Sequence, residues 1–316
     1  MRYGFYRFFC KFQTPAELPP FKGSTFRGGF GHSLKSAVCA LRNCKTCSDC
    51  SLSSRCVYAM VFETETDVGR EKGGRVSAPP HPMVFVPPED EKTGYEPGDG
   101  LVCGLKVFGS ANDYLPYFVH AFERMGKAGL GRRLQGQRGR FVLERVEESF
   151  FPEVSVYENG GNSMTRPENL KALCWDFPET WPAHGKAVRI VLDTPLRLKV
   201  DGRLPADLPF DLFVRQALRR MSSLFNAWGD GEPELDYPEM IRMAGNIRIR
   251  EKNLRWFDWQ RYSNRQESRM FMGGLTGDVL YEGDLTPFLP LLSLAEALHV
   301  GKNTMFGLGR VRMLWQ

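Results

Sequence analysis

The sequence has no run of about 18 apolar residues, which excludes an ordinary membrane-spanning helix. Its opening, MRYGFYRFFCKF, lacks the apolar region and small-residue cleavage site of a secretory signal, so cytoplasmic residence is the expectation. Neither GxxxxGK[ST] nor a helix-opening GxGxxG is present, which argues against a nucleotide-binding loop. No Ser/His/Asp arrangement, no paired carboxylates of a two-metal nuclease and no short-period repeat is legible. Histidine is scarce, with five residues in 316, so any proton transfer by imidazole has few candidates.

What is present is a chain of two ordinary domains, 42% apolar, with a net charge of +5. The positive charge is gathered in two blocks. Arg132, Arg133, Arg138 and Arg140 share a Gly-rich segment. Arg242 to Arg269 interleaves arginines with Trp256, Phe257, Trp259 and Tyr262. Cations neutralise phosphates and aromatic faces stack unpaired bases, so the pair of blocks points to a polyanion such as RNA. Each block alone also reads as a solvated charged face beside core aromatics. The acidic, turn-rich segment Pro87 to Gly100 is expected to be exposed and away from RNA.

The aromatic, β-prone opening RYGFYRFFCKF predicts a strand, and hydrophobic periodicity predicts a helix capped by Ser24 or Thr25 that runs to about Arg42. On that helix Phe26, Phe30, Leu34, Ala37, Val38 and Leu41 form the core face. Gly28, His32, Lys35 and Cys39 fall opposite. The glycines Gly28, Gly29 and Gly31 suggest close approach by another backbone. A Pro/Gly-rich insertion (73–100) with a short apolar run, Met83 to Val86, reads as an extended hairpin or a pair of edge strands. A second helix covers Leu115 to Met125, with Pro116 in its first turn, and a strand covers Arg140 to Val146. The linker is placed at 176–186, between domains 1–175 and 187–316. The second domain is expected to carry a strand from Ala187 to Leu192 and helices at Leu208 to Trp228 and Leu289 to Leu298. Its last strand is VRMLWQ. Alternating strands and helices give an α+β fold.

Between that last helix and last strand lies LHVGKNTMFGLGR, Leu298 to Arg310. Gly301, Gly307 and Gly309 surround Lys302, with His299 before them and Arg310 after. Successive backbone N–H groups in such a turn can form an anion-binding nest. The plainer alternative is a tight turn joining helix to strand.

This loop (299–310) resembles the C-terminal glycine-rich signature of the CRISPR-associated endoribonucleases that process precursor crRNA, members of the RAMP superfamily. Four other stretches are similar to the same family: LPPFKGSTFRGGFGHSLK (Leu18 to Lys35), the cysteine cluster ending CVYAMVFE (Cys56 to Glu63), Tyr117 to Phe141, and TPLRLK (Thr194 to Lys199) followed by Arg261 to Leu285. The resemblance implies tandem ferredoxin-like, RNA-recognition-like domains with a cysteine-rich metal-binding insertion in the N-terminal half. It also implies a repeat-RNA endoribonuclease using the 2′-hydroxyl as internal nucleophile without metal. The products would be a 2′,3′-cyclic phosphate and a 5′-hydroxyl. The alternative is a non-catalytic RAMP subunit that holds RNA in a CRISPR effector complex. Expected partners are CRISPR repeat RNA or crRNA, with other effector subunits.

Such chemistry needs a base, an acid and cations at phosphorus. The family's catalytic histidine lies on or near the first helix, which designates His32, with Lys35 one turn on; His299 beside the glycine loop is second. Arg27, Arg132, Arg133, Arg138, Arg261, Tyr262, Arg265, Gly301, Lys302, Gly307, Gly309 and Arg310 are the expected RNA contacts. The other three histidines, His81, His120 and His184, read as bystanders.

Five of the eight cysteines fall between Cys39 and Cys56. In a cytosolic chain this density favours metal over disulfides. Cys47-x2-Cys50-x5-Cys56 is similar to the family's pattern, and Cys39 supplies a fourth ligand for structural Zn²⁺. Cys44 departs from it and creates Cys44-x2-Cys47-x2-Cys50, a spacing that also begins iron–sulfur motifs.

Overall fold

The computed structural model describes the chain apart from residues 45, 64–78, 151–154, 162–163, 168–169, 177–185, 201, 259 and 264–267, and the side chains of 260–263 and 268–270. The chain divides into two compact units: Met1–Ala172 with Ala227–Gly229, and Leu173–Asn226 with Asp230–Gln316. Most of the linker expected at 176–186 lies outside the described residues.

In the first unit the opening strand β1 (Arg2–Phe12) is central. Its alternation buries Tyr6, Phe8, Cys10 and Phe12 on one side and leaves Phe5, Arg7 and Phe9 half-buried on the other, as a period of two requires. The chain continues through α1 (Gly23–Val38), α2 (Val57–Phe62), β2 (Met83–Val86), β3 (Gly100–Phe108) and α3 (Leu115–Ala128). It ends with β4 (Leu130–Leu134), β5 (Gln137–Gly139), β6 (Phe141–Glu148) and β7 (Ser155–Glu158). The main sheet runs β2-β3-β1-β6-β7, with β1 antiparallel to both β3 and β6. Met83–Val86 is an edge strand of this sheet, paired with β3. Phe8 stacks on Phe122 with ring centres 3.9 Å apart, and Phe30 meets Phe85, Phe118 and Phe122 at 5.3, 5.8 and 5.5 Å.

Helix α1 differs from expectation at both ends. It begins at Gly23 behind Lys22 with no side-chain cap, so Ser24 and Thr25 are helical residues. The Lys22 side chain is fully buried, its Nζ donating to the carbonyls of Pro20 (3.3 Å) and Asp90 (2.9 Å), and this anchor fixes the chain before Ser24 is reached. The backbone turns extended at Cys39, so Leu41 leaves the core face and is 41% exposed, while Phe26, Phe30 and Leu34 are buried as predicted. The glycines are approached by side chains, not by another backbone. A Cβ on Gly29 would meet Leu130 Cδ2 at 2.6 Å and Met125 Sδ at 2.9 Å; one on Gly31 would meet the Phe62 ring at 3.0 Å; Gly28 faces open space.

The second unit repeats this plan with β8 (Ala187–Leu196), α4 (Phe210–Trp228), α5 (Tyr237–Ala244) and β9 (Arg248–Phe257). A hairpin, β10 (Gln260–Ser263) and β11 (Ser268–Phe271), precedes β12 (Gly274–Glu282), α6 (Leu289–Leu298) and β13 (Val311–Trp315). Its sheet runs β9-β12-β8-β13, all antiparallel. In both units the first strand is flanked by a late strand on one side, β6 beside β1 and β13 beside β8, and by the pair β2–β3 or β9–β12 on the other. Helix α5 was not anticipated, although Asp236 accepts from the Glu239 N–H at 2.9 Å, an N-cap that D-x-x-E announces. Of the second basic block, Arg242 lies on α5, Arg248, Arg250, Lys252 and Arg255 on the edge strand β9, and Arg261 and Arg269 on the hairpin strands.

Phe30 has no exposed surface and sits at the centre of its aromatic cluster. Phe30→Ala should cost about 3–5 kcal/mol. Urea unfolding should show a lowered midpoint with an unchanged slope.

Candidate nucleic-acid interface

A recess of about 660 Å³ opens in the first unit between α1, α3 and the β4–β5 hairpin, lined by His32, Ser36, Arg124, Arg133, Arg138 and Arg140 among others. Local sequence builds it. Gly29 lacks the Cβ that would strike Leu130 and Met125, so α3 lies close against α1. Gly129 (φ +79°) then turns the chain out of α3, and Gln135 (φ +49°) and Gly136 (φ +85°) turn it back between β4 and β5. Positive φ at both central residues of a two-residue connection is what a type I′ hairpin turn demands. The Gly-rich arginine block is thus a hairpin whose two strands carry their cations back over α1.

Strand alternation sorts these arginines. Arg133 and Arg138 face the recess, whereas Arg132 points away, 74% exposed, and pairs with Glu17 at 3.3 Å. Among the described residues no carboxylate lines the recess and no ion pair engages Arg124, Arg133, Arg138 or Arg140. Four guanidinium groups around one histidine create a concentrated positive field suited to an oligoanion. Arg124, Arg140 and Ser36 were not among the expected site residues. Arg124 belongs to a different helix from His32 and reaches it only through tertiary packing.

His32 is exposed on α1 and lines the recess. Lys35 does not join it. Its Nζ lies over the Tyr58 ring, 5.1 Å from the centre, and beside the Cys47 thiol. Arg27 also turns to packing, with its guanidinium carbon 5.0 Å from the Phe62 ring centre.

The cysteines sit half-buried in the turns after α1. Burial raises the Cys44 thiol, and Cys50, Asp49 and Cys39 beside it add to the rise. Burial also raises Cys47, with the Lys35 ammonium opposing and Glu63 and Cys56 adding. Cys44 thus lies near Cys39 and near Cys50, and Cys47 near Cys56. Among the described residues no three His, Cys, Asp or Glu side chains stand together as a metal-holding group, so the quartet Cys39, Cys47, Cys50 and Cys56 is not closed. The donors are chemically right for Zn²⁺.

In the second unit the glycine loop is built inward. Gly301 (φ +86°), Gly307 (φ +89°) and Gly309 (φ +70°) occupy backbone conformations that a side chain disfavours. A Cβ on Gly301 would lie 2.6 Å from the Arg197 carbonyl oxygen, and one on Gly309 would collide with the Val300 carbonyl. The loop's N–H groups are largely used internally. Val300 donates to Gly309 (2.8 Å), Lys302 to Arg197 (2.8 Å), Gly307 to Thr304 (2.8 Å), Gly309 to Pro195 (3.1 Å) and Arg310 to the Thr194 hydroxyl (2.9 Å). This corrects the expectation of an anion nest: those donors are spent on the turn itself. Lys302 keeps an exposed side chain, while Arg310 lies 3.6 Å from Asp193.

His299, the second catalytic candidate, is fully buried, with its Nδ1 3.2 Å from the Leu308 carbonyl, so it supports the loop from inside. Behind it the Arg220 guanidinium donates to the Leu298 carbonyl at 3.2 Å, closing the end of α6; burial pushes its pKa down to about 10. Arg261 and Tyr262 lie on β10, where their backbones pair with Met270 and Arg269, but their side chains are outside the described residues, as is all of Arg265. Gly309→Ala should therefore unfold the loop's junction, lowering the melting temperature by the equivalent of about 1–3 kcal/mol. Lys302→Ala should leave melting unchanged by the same assay.

Comparison with known proteins places both halves of the chain. Residues 1–170 match the N-terminal-domain family AF_1859_N, and residues 190–311 match the family described as CRISPR-associated endoribonuclease Cas6. An uncharacterized protein of Archaeoglobus fulgidus is 28% identical over 300 residues, covering 94% of this chain and 93% of its own. Among solved structures, a Cas6 product complex aligns at TM-score 0.56 and 16% identity over 98% of this chain and 100% of its own. A Thermus thermophilus Cas6 aligns at 0.53 and 14%, over 99% and 98%. A partial Cas6-RT-Cas1–Cas2 complex aligns at 0.60 and 13%, where this chain spans 46% of the longer partner. At these identities the structures establish a shared fold. Among the described residues no helix is long and apolar enough to cross a membrane.

Proposed function

We propose that this chain, whose residues 190–311 match the family of CRISPR-associated Cas6 endoribonucleases, cuts CRISPR repeat RNA into guide units without a metal in the reaction. The observation that carries this reading is the recess in which, among the described residues, His32 is the one imidazole, no carboxylate joins the lining and four guanidinium groups make no ion pair. The matching strand orders, with β6 beside β1 in one unit and β13 beside β8 in the other, support tandem ferredoxin-like domains.

In the proposed reaction the 2′-oxygen forms a bond to phosphorus while the bond from phosphorus to the 5′-oxygen breaks. One proton leaves the 2′-hydroxyl and one reaches the departing 5′-oxygen, so atoms balance with a 2′,3′-cyclic phosphate and a 5′-hydroxyl as products. His32 is the proton-transfer group, suited to neutral pH. Arg133 and Arg138, with Lys302, Arg261, Tyr262 and Arg265 of the second unit, are proposed RNA contacts. Gly301, Gly307 and Gly309 shape the loop that presents Lys302. The partner is repeat RNA; association with other CRISPR proteins is proposed by analogy with the Cas6-RT-Cas1–Cas2 assembly.

His32→Ala should bind labelled repeat RNA normally and cut it about 10²–10⁴-fold more slowly in EDTA. A 2′-deoxy nucleotide at the cut site should abolish cleavage by the wild-type protein. Wild-type protein that binds the repeat and never cuts it would instead identify a subunit that only holds RNA.

The cysteine turns are proposed to close around one structural Zn²⁺ through Cys39, Cys47, Cys50 and Cys56, with Cys44 able to replace one of them. Metal analysis of anaerobically purified protein should find about one zinc per chain. Cys47→Ser should lower the melting temperature more than it slows cleavage. Stoichiometric iron and sulfide with a brown chromophore would replace zinc by a cluster.

A further inference from the structure

Charge gathers on phosphorus during the proposed reaction, and the residue expected to meet it, Lys35, is turned to Tyr58 and Cys47. Another cation stands where Lys35 does not. Arg124 of α3 projects into the His32 recess, and its Nη2 donates to Ser36 Oγ at 2.8 Å. Ser36 is four residues after His32 on α1, and side chains at that spacing share a helix face with Cβ atoms about 5–6 Å apart. The hydrogen bond therefore ties the Arg124 guanidinium to the helix that carries His32, on the same face.

Two features fit this group to a phosphodiester. A guanidinium has five N–H donors, and the Ser36 bond uses one, leaving a fork for two phosphate oxygens. No carboxylate competes: among the described residues Arg124 makes no ion pair, and its neighbour Glu123 is engaged by Tyr157 and His120 at 2.6 and 3.3 Å. The other cations of the recess, Arg133, Arg138 and Arg140, come from the hairpin or the residue after it, and none has a side-chain hydrogen bond to α1 among the described residues. A donor already fixed in place needs no reorganisation as charge develops, which is the condition for strong electrostatic stabilisation.

We propose that Arg124 is a catalytic residue that binds the non-bridging oxygens of the phosphodiester on which His32 acts, and that Ser36 is its positioning residue. The proposal rests on the RNA-cleaving reading above. Arg124 stays protonated throughout; the bonds made and broken are those of the transesterification already given.

The test is single-turnover cleavage of labelled cognate repeat RNA in EDTA, with affinity measured separately on a 2′-deoxy substrate that cannot be cut. Arg124→Ala should lower the cleavage rate about 10²–10³-fold, while its affinity changes by roughly threefold or less, one phosphate contact among many. Millimolar guanidinium ion should restore part of the rate to Arg124→Ala and none to His32→Ala. Ser36→Ala, which keeps the charge and removes an exposed hydroxyl, should slow cleavage several-fold with affinity unchanged. Arg124→Lys should rescue poorly, because one ammonium cannot span Ser36 and two phosphate oxygens.

Folded Arg124→Ala protein that cuts at the wild-type rate overturns the proposal. So does a loss confined to affinity, which would make Arg124 a ground-state contact. If Arg124→Ala fails to fold, an unchanged Ser36→Ala rate overturns it instead. A wild-type protein that leaves the repeat intact removes the cleavage reading itself, and Arg124's role with it.

Discussion

The exposed face of helix α1 is held in place because the helix is pressed against α3, and that contact depends on an absence of side chain at Gly29. With Leu130 and Met125 occupying the space a Cβ would need, the helices approach closely enough for Phe30 to reach Phe118 and Phe122. The aromatic cluster then holds α1 on the sheet through a face that excludes water, and such pairs contribute about 0.5–1.5 kcal/mol each beyond area burial. The opposite face of the same helix is left to His32 and Ser36. Rigid burial on one side and exposed function on the other is a good arrangement for a site, because the scaffold fixes rotamers that loops would leave loose.

The glycines of this chain serve two distinct ends. At Gly29 glycine admits a neighbour, whereas at Gly129, Gly136, Gly301, Gly307 and Gly309 it supplies positive φ. The distinction matters for the C-terminal loop. A glycine-rich segment flanked by Lys302 and Arg310 has the composition of a phosphate cradle, yet its N–H groups close onto Arg197, Pro195, Thr304 and Gly309. A donor paired in the protein cannot also bind a ligand without losing that bond, so the loop's own contribution to an anion is its exposed Lys302 side chain. Arg220 beneath the loop and His299 within it then read as supports, each bonded to a carbonyl next to the turn.

Elements whose signal is local were legible in the sequence. The periodic burial of Phe26, Phe30 and Leu34, the strand alternation of Arg2–Phe12 and the helix Leu289–Leu298 all follow from spacing alone. His32 was found on the exposed face for the same reason. Lys35 was misplaced because three residues advance about 300° round a helix, so two residues of one polar face still diverge by about 60°. That divergence sends His32 to the recess and Lys35 to Tyr58. His299 failed for a different reason: a histidine at a helix end has no local signal of burial, and here the loop that returns past it brings the Leu308 carbonyl against its ring. Arg124 lies 88 residues from Ser36, a contact that no window of sequence encodes.

Net charge also conceals more than it reveals. A balance of +5 over 316 residues is mild, and much of the basic character is cancelled pairwise. Arg189 is bound by Asp278 and Glu251, Arg312 and Arg310 share Asp193, Arg132 meets Glu17 and Lys252 meets Asp207. Exposed pairs of this kind contribute little to stability, about 0–1 kcal/mol each, but they remove their cations from the field that a distant anion feels. What remains is a positive charge concentrated where carboxylates are missing. Field at a surface depends on such local imbalance far more than on the total, because ions screen separated charges beyond roughly 8–10 Å. An RNA strand approaching the first unit would therefore be drawn to the one recess described in which four guanidinium groups stand without acid partners, and that recess is the one that holds His32.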